Sequence, residues 1–143
     1  MSTSQILVPI DFSAHTERAL DYASMLASKL SARVLLMHVI HAMPLGVTEM
    51  GSAMPSAYLQ QIESEISQGM EKHLQRLSAA GLASEMVLVH GVPLEEIVHL
   101  ATARQVELII MGTHGRTGLG HLFLGSVAEQ VVRLAPCPVL VIR

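Results

Sequence analysis

Apolar positions along this chain follow two alternating patterns. Continuous apolar runs, typical of strands that are covered on both faces, alternate with stripes at steps of three and four, typical of amphipathic helices. The runs predict strands at 6–10, 34–40, 86–89, 107–111 and 139–142. The stripes predict helices over 19–30, 59–77, 94–101 and 127–134, with Gly81 ending the second helix and Pro93 beginning the third.

This alternation predicts an α/β fold, with an open five-stranded parallel sheet and helices on both faces in a Rossmann-like arrangement. No internal repeat interrupts the pattern, so one domain over 1–143 is expected. For the strand order 3-2-1-4-5, the order reverses between the first and fourth strands, and ligands bind beyond the carboxyl ends of strands at such a point. Asp11 and Gly112 would face each other there.

Composition narrows the classes of function. Half of the residues are hydrophobic but only 3% are aromatic, which predicts an aliphatic core. A net charge of −3 without any run of Lys or Arg argues against nucleic acid as a partner. No apolar run reaches the length of a membrane span, and the single Cys137 predicts a packing role rather than a disulfide, so we expect a cytoplasmic protein.

The eight histidines are scattered without the spacing of paired metal ligands, and no nucleophile motif such as GxSxG is present. We therefore predict neither a metal site nor a catalytic residue. His38, inside the second predicted strand, is interpreted as a strand residue with a satisfied hydrogen bond.

The segment 111–126, MGTHGRTGLGHLFLGS, contains five of the ten glycines and follows a buried strand. Glycines let the backbone approach a ligand closely, so that successive N–H groups converge on an anion, and the following helix adds the positive end of its dipole. This arrangement predicts phosphate binding. Inside it, Arg116 suits bidentate contact with a phosphate, and His114 could touch a ribose or a phosphate.

The spacing Gly112-x2-Gly115-x9-Gly125-Ser126 fits neither the P-loop nor the dinucleotide fingerprint. It resembles the nucleotide-binding signature of the universal stress protein family, in its ATP-binding branch. The resemblance extends over nearly the whole chain, through ILVPIDFS, MHVI, MGTHGRTGLGHLFLGSVAEQVV and PCPVLVIR. It implies the open five-stranded fold and ATP as ligand, carried with Mg²⁺.

The resemblance also implies roles for individual residues. The phosphates would be held by Gly112, Gly115, Gly125 and Ser126. Pro9 and Asp11 would lie beside the adenosine, and the backbone at Val39 would face the adenine. The predicted site is completed by residues within or next to the motif, namely Met111, His114, Arg116 and Val127.

Several of these positions have a structural alternative. The glycines could form only a tight turn, and Arg116 could be solvated. Ser126 and Glu129 match a capping box, in which the serine hydroxyl binds helix backbone instead of a phosphate. Asp11 could cap the first helix through the backbone after Ser13.

The last strand carries a prediction about assembly. Pro138 confines this strand to a sheet edge, yet 139–142 is too apolar for an exposed edge. We therefore expect a homodimer in which two such edges pair, as the resemblance also implies. The segment 41–57 has no periodicity and is expected either to form an irregular loop over the cleft or to be disordered.

Three functions remain open at this point. The first is an ATP-binding regulatory module of the stress response, whose nucleotide-dependent change is read by an unknown protein partner. The second is a slow ATP hydrolase in which His114 or Asp11 positions water. The third is a nucleotide-free dimeric interaction protein that uses the Met-rich segment, because methionine adapts to varied apolar partners.

Overall fold

The structure, a computed structural model, describes residues 3–41, 55–113 and 124–143. Along the chain the elements are β1 (Gln5–Pro9), α1 (Ala14–Leu30), β2 (Arg33–His41), α2 (Ser56–Ala79), β3 (Ser84–Gly91), α3 (Pro93–Ala103), β4 (Leu108–Gly112), α4 (Ser126–Leu134) and β5 (Val139–Ile142). Every predicted strand and helix is confirmed, in the predicted order. None of the helices in the described part of the chain is long and apolar enough to cross a membrane.

Element boundaries differ most at the start of α1, at β3 and at the start of α2. Helix α1 begins at Ala14, five positions before the predicted 19, because residues 14–18 are mostly polar and do not belong to the apolar stripe. The predicted third strand, 86–89, is too short, because the ladder between β2 and β3 runs from Val34↔Ser84 to His41↔Gly91. Backbone pairing carries the strand through polar residues that the apolar pattern leaves out. Helix α2 begins at Ser56, inside the segment expected to be irregular; the part of that segment at 42–54 lies outside the described residues.

The sheet has the order β3-β2-β1-β4-β5 and is parallel throughout, which confirms the predicted 3-2-1-4-5 arrangement. Its strands alternate between two cores, as period-two geometry requires. One core contains Ile6 and Val8 of β1 together with apolar residues of α1 and α2. The other contains Leu7 of β1 and Met37 of β2 together with apolar residues of α3 and α4. The helices therefore cover both faces of the sheet.

Candidate functional site

The sheet opens at the carboxyl ends of β1 and β4. The ladder between these two strands ends at Leu7↔Ile109. The ladders on either side continue further, to Pro9↔Met37 and to Gly112↔Ile142. The last residues of β1 and β4 thus pair only with their outer neighbours, and a crevice lies between them at the point where the strand order reverses.

Pro9 is a sequence feature that favours this opening. The Ile10 N–H donates to the Met37 carbonyl on β2, and alternate residues of a strand present their backbone groups to opposite sides. The nitrogen of Pro9 therefore faces β4, and it carries no hydrogen to donate. The next hydrogen bond of the β1–β4 ladder cannot form, because its donor is absent.

Four of the predicted site residues share one face of the sheet beside this crevice. Val39 and Val127 pack, partly buried, against the core between the sheet and helices α3 and α4, and Met111 belongs to that core. Pro9 follows Leu7 by two positions, which places it on the same face. The structure thus brings together residues of β1, β2, β4 and α4 that are far apart in sequence.

Asp11 follows β1 at the mouth of the crevice. Its Oδ1 accepts a hydrogen bond from the Ser13 N–H at 2.9 Å and one from the Thr16 hydroxyl at 3.4 Å. The alternative in which Asp11 caps α1 through the backbone after Ser13 is therefore wrong, because Ser13 itself occupies the N-cap position and Asp11 closes the turn that precedes it. Both hydrogen bonds use Oδ1, so they do not require the second carboxylate oxygen. The predicted contact of Asp11 with the adenosine is therefore compatible with its contacts to Ser13 and Thr16.

Gly112, at the end of β4, lies directly under the first turn of α1. A Cβ added to Gly112 would stand 2.6 Å from the Cβ of His15. Such a distance is far below van der Waals contact, so only glycine permits this approach of helix and strand. Gly112 therefore has a packing reason to be glycine, separate from its predicted contact with phosphate.

The two ends of the glycine loop meet. The Gly125 N–H donates to the Thr113 carbonyl, which places the beginning of α4 beside the end of β4. The N-terminus of α4, with its unpaired N–H groups and positive dipole end, is thereby brought to the carboxyl edge of the sheet. This is the position that the sequence predicts for a phosphate site.

The predicted capping box at the start of α4 is wrong. Gly125, rather than Ser126, is the N-cap residue, and Ser126 is the first residue of the helix. The Glu129 N–H donates to the Gly125 carbonyl at 2.9 Å, and the Glu129 carboxylate accepts from Arg133 at 2.9 Å instead of reaching back to the cap. The exposed hydroxyl of Ser126 is therefore not committed to a capping box.

Three predicted site residues, His114, Gly115 and Arg116, lie outside the described residues, so their roles stay predictions. The interpretation of His38 is confirmed, because its Nδ1 lies 2.7 Å from the Ile10 carbonyl oxygen. Cys137 packs, partly buried, against the core under α3 and α4, as expected. Burial raises the pKa of its thiol, an effect that a hydrogen bond with the Ile109 backbone partly offsets.

Sequence reasoning missed two buried threonines that shape the site. Thr16 is 5% exposed and donates to Asp11, and Thr113 is 6% exposed and accepts from Gly125. Thr16 carries a detectable signal, since it is a polar residue on the buried side of an amphipathic helix, five positions after a candidate ligand-binding carboxylate. Thr113 carries no such signal in the sequence, because its contact with Gly125 is made by its backbone carbonyl.

The fold defines a Rossmann-like α/β protein with a crevice at its topological switch point. Within that class, the chain belongs to the universal stress protein family, whose model matches residues 3–143.

Named relatives support this membership. The universal stress protein MJ0531 of Methanocaldococcus jannaschii is 34% identical, over 97% of this chain and 81% of its own length. Universal stress protein MJ0577 of the same organism is 32% identical, over 97% of this chain and 94% of its own length. The solved structure of MJ0577 superposes with a TM-score of 0.82, covering 99% of this chain and 96% of that one.

A third relative carries a ligand. The universal stress protein of Archaeoglobus fulgidus, solved in complex with dAMP, is 25% identical and superposes with a TM-score of 0.69, covering 100% of both chains.

Proposed function

We propose that this chain is a cytoplasmic ATP-binding regulatory module of the stress response, acting as one domain over 1–143. The observation that carries the proposal is the crevice between β1 and β4, which the N-terminus of α4 adjoins. Such a helix end favours an anion, and a crevice at the switch point is where α/β sheets bind nucleotides. Family membership and the dAMP complex of the Archaeoglobus fulgidus relative support an adenine nucleotide as the ligand.

In this proposal each part of the crevice contacts a different part of the ligand. Pro9, Val39 and Met111 supply an apolar wall for the adenine, and Asp11 accepts a hydrogen bond from the adenosine through its second carboxylate oxygen. The Mg²⁺-bound triphosphate lies across the glycine loop and the start of α4. Its contacts are proposed at Gly112, His114, Gly115, Arg116, Gly125, Ser126 and Val127.

A regulatory role is supported over turnover by the state of the nearby acidic residues. Asp11 already accepts two hydrogen bonds from the start of α1, and Glu129 is paired with Arg133. A general base for phosphoryl transfer must reach and accept the proton of the attacking group. The free oxygen of Asp11 is the one proposed for the adenosine, and neither β1 nor β4 carries a second carboxylate for proton abstraction.

Substitution of Gly125 tests the proposed function. Its φ of −59° is open to any residue, so Gly125→Ala and Gly125→Val should keep the backbone while placing a growing side chain where the phosphates approach. Titration calorimetry with MgATP should show wild-type binding and a graded loss. For the valine variant, loss of charge-assisted hydrogen bonds predicts affinity lower by about tenfold to a hundredfold.

Two results would overturn parts of the proposal. Equal affinity in wild type and Gly125→Val would place the phosphates elsewhere. Sustained release of ADP by the wild-type chain that disappears in Gly125→Val would show that the same site is a hydrolase rather than a binding module.

We also propose that the β5 edge mediates a homodimer. The two edges of the sheet differ in polarity. On the β3 edge, Glu85 pairs with Arg104 and His90 contacts Glu63. Charged residues of this kind protect an edge from pairing. The four residues of β5 are all apolar, and exposed apolar side chains continue this character on α4, which packs beside it. An unprotected apolar edge favours pairing with a second copy of the chain.

A further inference from the structure

Phe12 adopts a backbone conformation that is unfavourable for its residue type. Its φ is +62°, in the left-handed region that a residue with a Cβ rarely occupies. It lies between Asp11 and Ser13, where the chain leaves β1 and turns into α1. Surrounding contacts must hold Phe12 in this conformation, and strain of this kind tends to cluster at ligand-binding positions.

The contacts that hold Phe12 come from its ring. The ring meets His38 of β2 edge-on, with centroids 5.0 Å apart, and stacks on His73 of α2 at 6.2 Å. His38 is itself fixed by its contact with the Ile10 carbonyl. The ring therefore bridges β2 and α2 while its backbone belongs to the loop that carries Asp11.

Gly69 of α2 makes room for this ring. A Cβ at Gly69 would lie 2.9 Å from Cε1 of Phe12, closer than real contacts allow. Glycine is a poor residue in a helix interior, so its presence within α2 has a reason in the close approach of the ring. We define the space bounded by Gly69, His38 and His73 as the Phe12 slot.

Polar side chains connect the two helices beside the slot. Arg76 of α2 pairs with both Glu17 and Asp21 of α1, and His73 Nδ1 lies 3.6 Å from Glu17 Oε1. Since α1 begins directly after Asp11 and Phe12, these contacts tie α2 to the same turn that the ring anchors. A displacement of α2 would therefore be transmitted to the ring and to its neighbour Asp11.

We infer that Phe12 is a positioning residue for nucleotide binding: its ring, seated in the Phe12 slot, holds Asp11 at the crevice and couples the position of α2 to occupancy of the site. This inference rests on the proposed function and extends it to residues that the nucleotide does not touch. It predicts that α2 is held more firmly in place when the nucleotide is bound.

A double-mutant cycle between positions 12 and 69 tests the inference. Phe12→Gly keeps the left-handed backbone but empties the slot, and Gly69→Ala keeps the ring but crowds it. Each should lower MgATP affinity by about fivefold or more, the usual range of coupling between separated sites. Gln68→Ala, at an exposed neighbouring position on α2, is the matched control and should bind as wild type does.

The combined variant separates the ring from other effects. Once the ring is removed, Gly69→Ala has nothing to displace, so the combined variant should bind MgATP within about twofold of Phe12→Gly alone, as coupled residues require. Full additivity, or wild-type affinity in both folded single variants, would overturn the inference. Absence of MgATP binding by the wild-type chain would instead overturn the proposed function, and this inference with it.

Hydrogen exchange on the unmodified protein gives a readout that does not depend on the folding of any variant. MgATP should slow amide exchange in the 66–73 part of α2 as well as at the crevice. Protection confined to the crevice, with α2 unchanged, would contradict the proposed coupling.

Discussion

Replacement of Gly112 by alanine offers a direct test of how α1 is seated on β4. The new Cβ would lie 2.6 Å from the Cβ of His15, an atom anchored to the backbone of α1 that cannot rotate away. Relief requires a shift of close to an ångström in the first turn of α1, and overpacking of this kind costs about 1–3 kcal/mol. For a chain of this length the melting temperature should fall by roughly 3–10 °C.

Thermal and urea denaturation without nucleotide would measure this effect separately from any loss of phosphate contact. His15→Gly removes the opposing Cβ, so it provides the matched partner for a cycle. Gly112→Ala should destabilise the His15→Gly background much less than the wild-type background, even though His15→Gly lowers stability on its own because glycine is unfavourable in a helix. A melting temperature for Gly112→Ala within about 1 °C of wild type, or an equal cost in both backgrounds, would refute the packing argument.

Three further predictions concern other parts of the sheet. The hydrogen bond from Arg104 lowers the pKa of Glu85 below its ordinary 4.5. The ionised Glu85 therefore stabilises the fold fully above pH 4.5, and this stabilisation is lost as the pH falls through the lowered pKa. The gap in unfolding free energy between wild type and Glu85→Gln should therefore shrink in acid, and a gap independent of pH would contradict this. Ile142 presents its backbone to β4, so the N–H of Val141 faces the open edge of the sheet, and Val141→Pro removes it. Val141→Pro should therefore be monomeric by light scattering, while Val141→Thr stays dimeric. A dimeric Val141→Pro would contradict pairing through β5. Pro9→Ala restores an N–H that faces β4. The new amide at position 9 should be protected from hydrogen exchange, and MgATP affinity should fall. Free exchange at position 9 would contradict the role of Pro9 in keeping the crevice open.

Much of the fold follows from the sequence because buried parallel strands and amphipathic helices have distinct periods. The continuous apolar run of β5 appears at its predicted residues, 139–142. The ends of β3 differ from the predicted 86–89, because Ser84 and Gly91 are strand residues only through their pairing with β2. Local polarity cannot reveal a ladder whose partner strand lies over 40 positions earlier in the chain.

In the candidate site, too, local features follow from the sequence and tertiary contacts do not. The glycine spacing identifies the loop after β4, but the start of α4 was misplaced because the Ser126 and Glu129 pattern is local, whereas the tie between Gly125 and Thr113 is a tertiary contact. The Phe12 slot is beyond sequence reasoning for a related reason. Nothing near Gly69 indicates that its missing side chain accommodates a ring 57 positions earlier in the chain.

Thermal denaturation with and without MgATP is the sharpest test of whether the crevice between β1 and β4 binds ATP. At about 100 times its dissociation constant, a ligand of the folded state adds about 2.7 kcal/mol of stability. We expect the melting temperature to rise by roughly 5–10 °C, and Gly125→Val should reduce this rise to about half or less. An unchanged melting temperature of the wild-type chain at millimolar MgATP would contradict ATP binding in the crevice and favour an interaction protein that works without nucleotide.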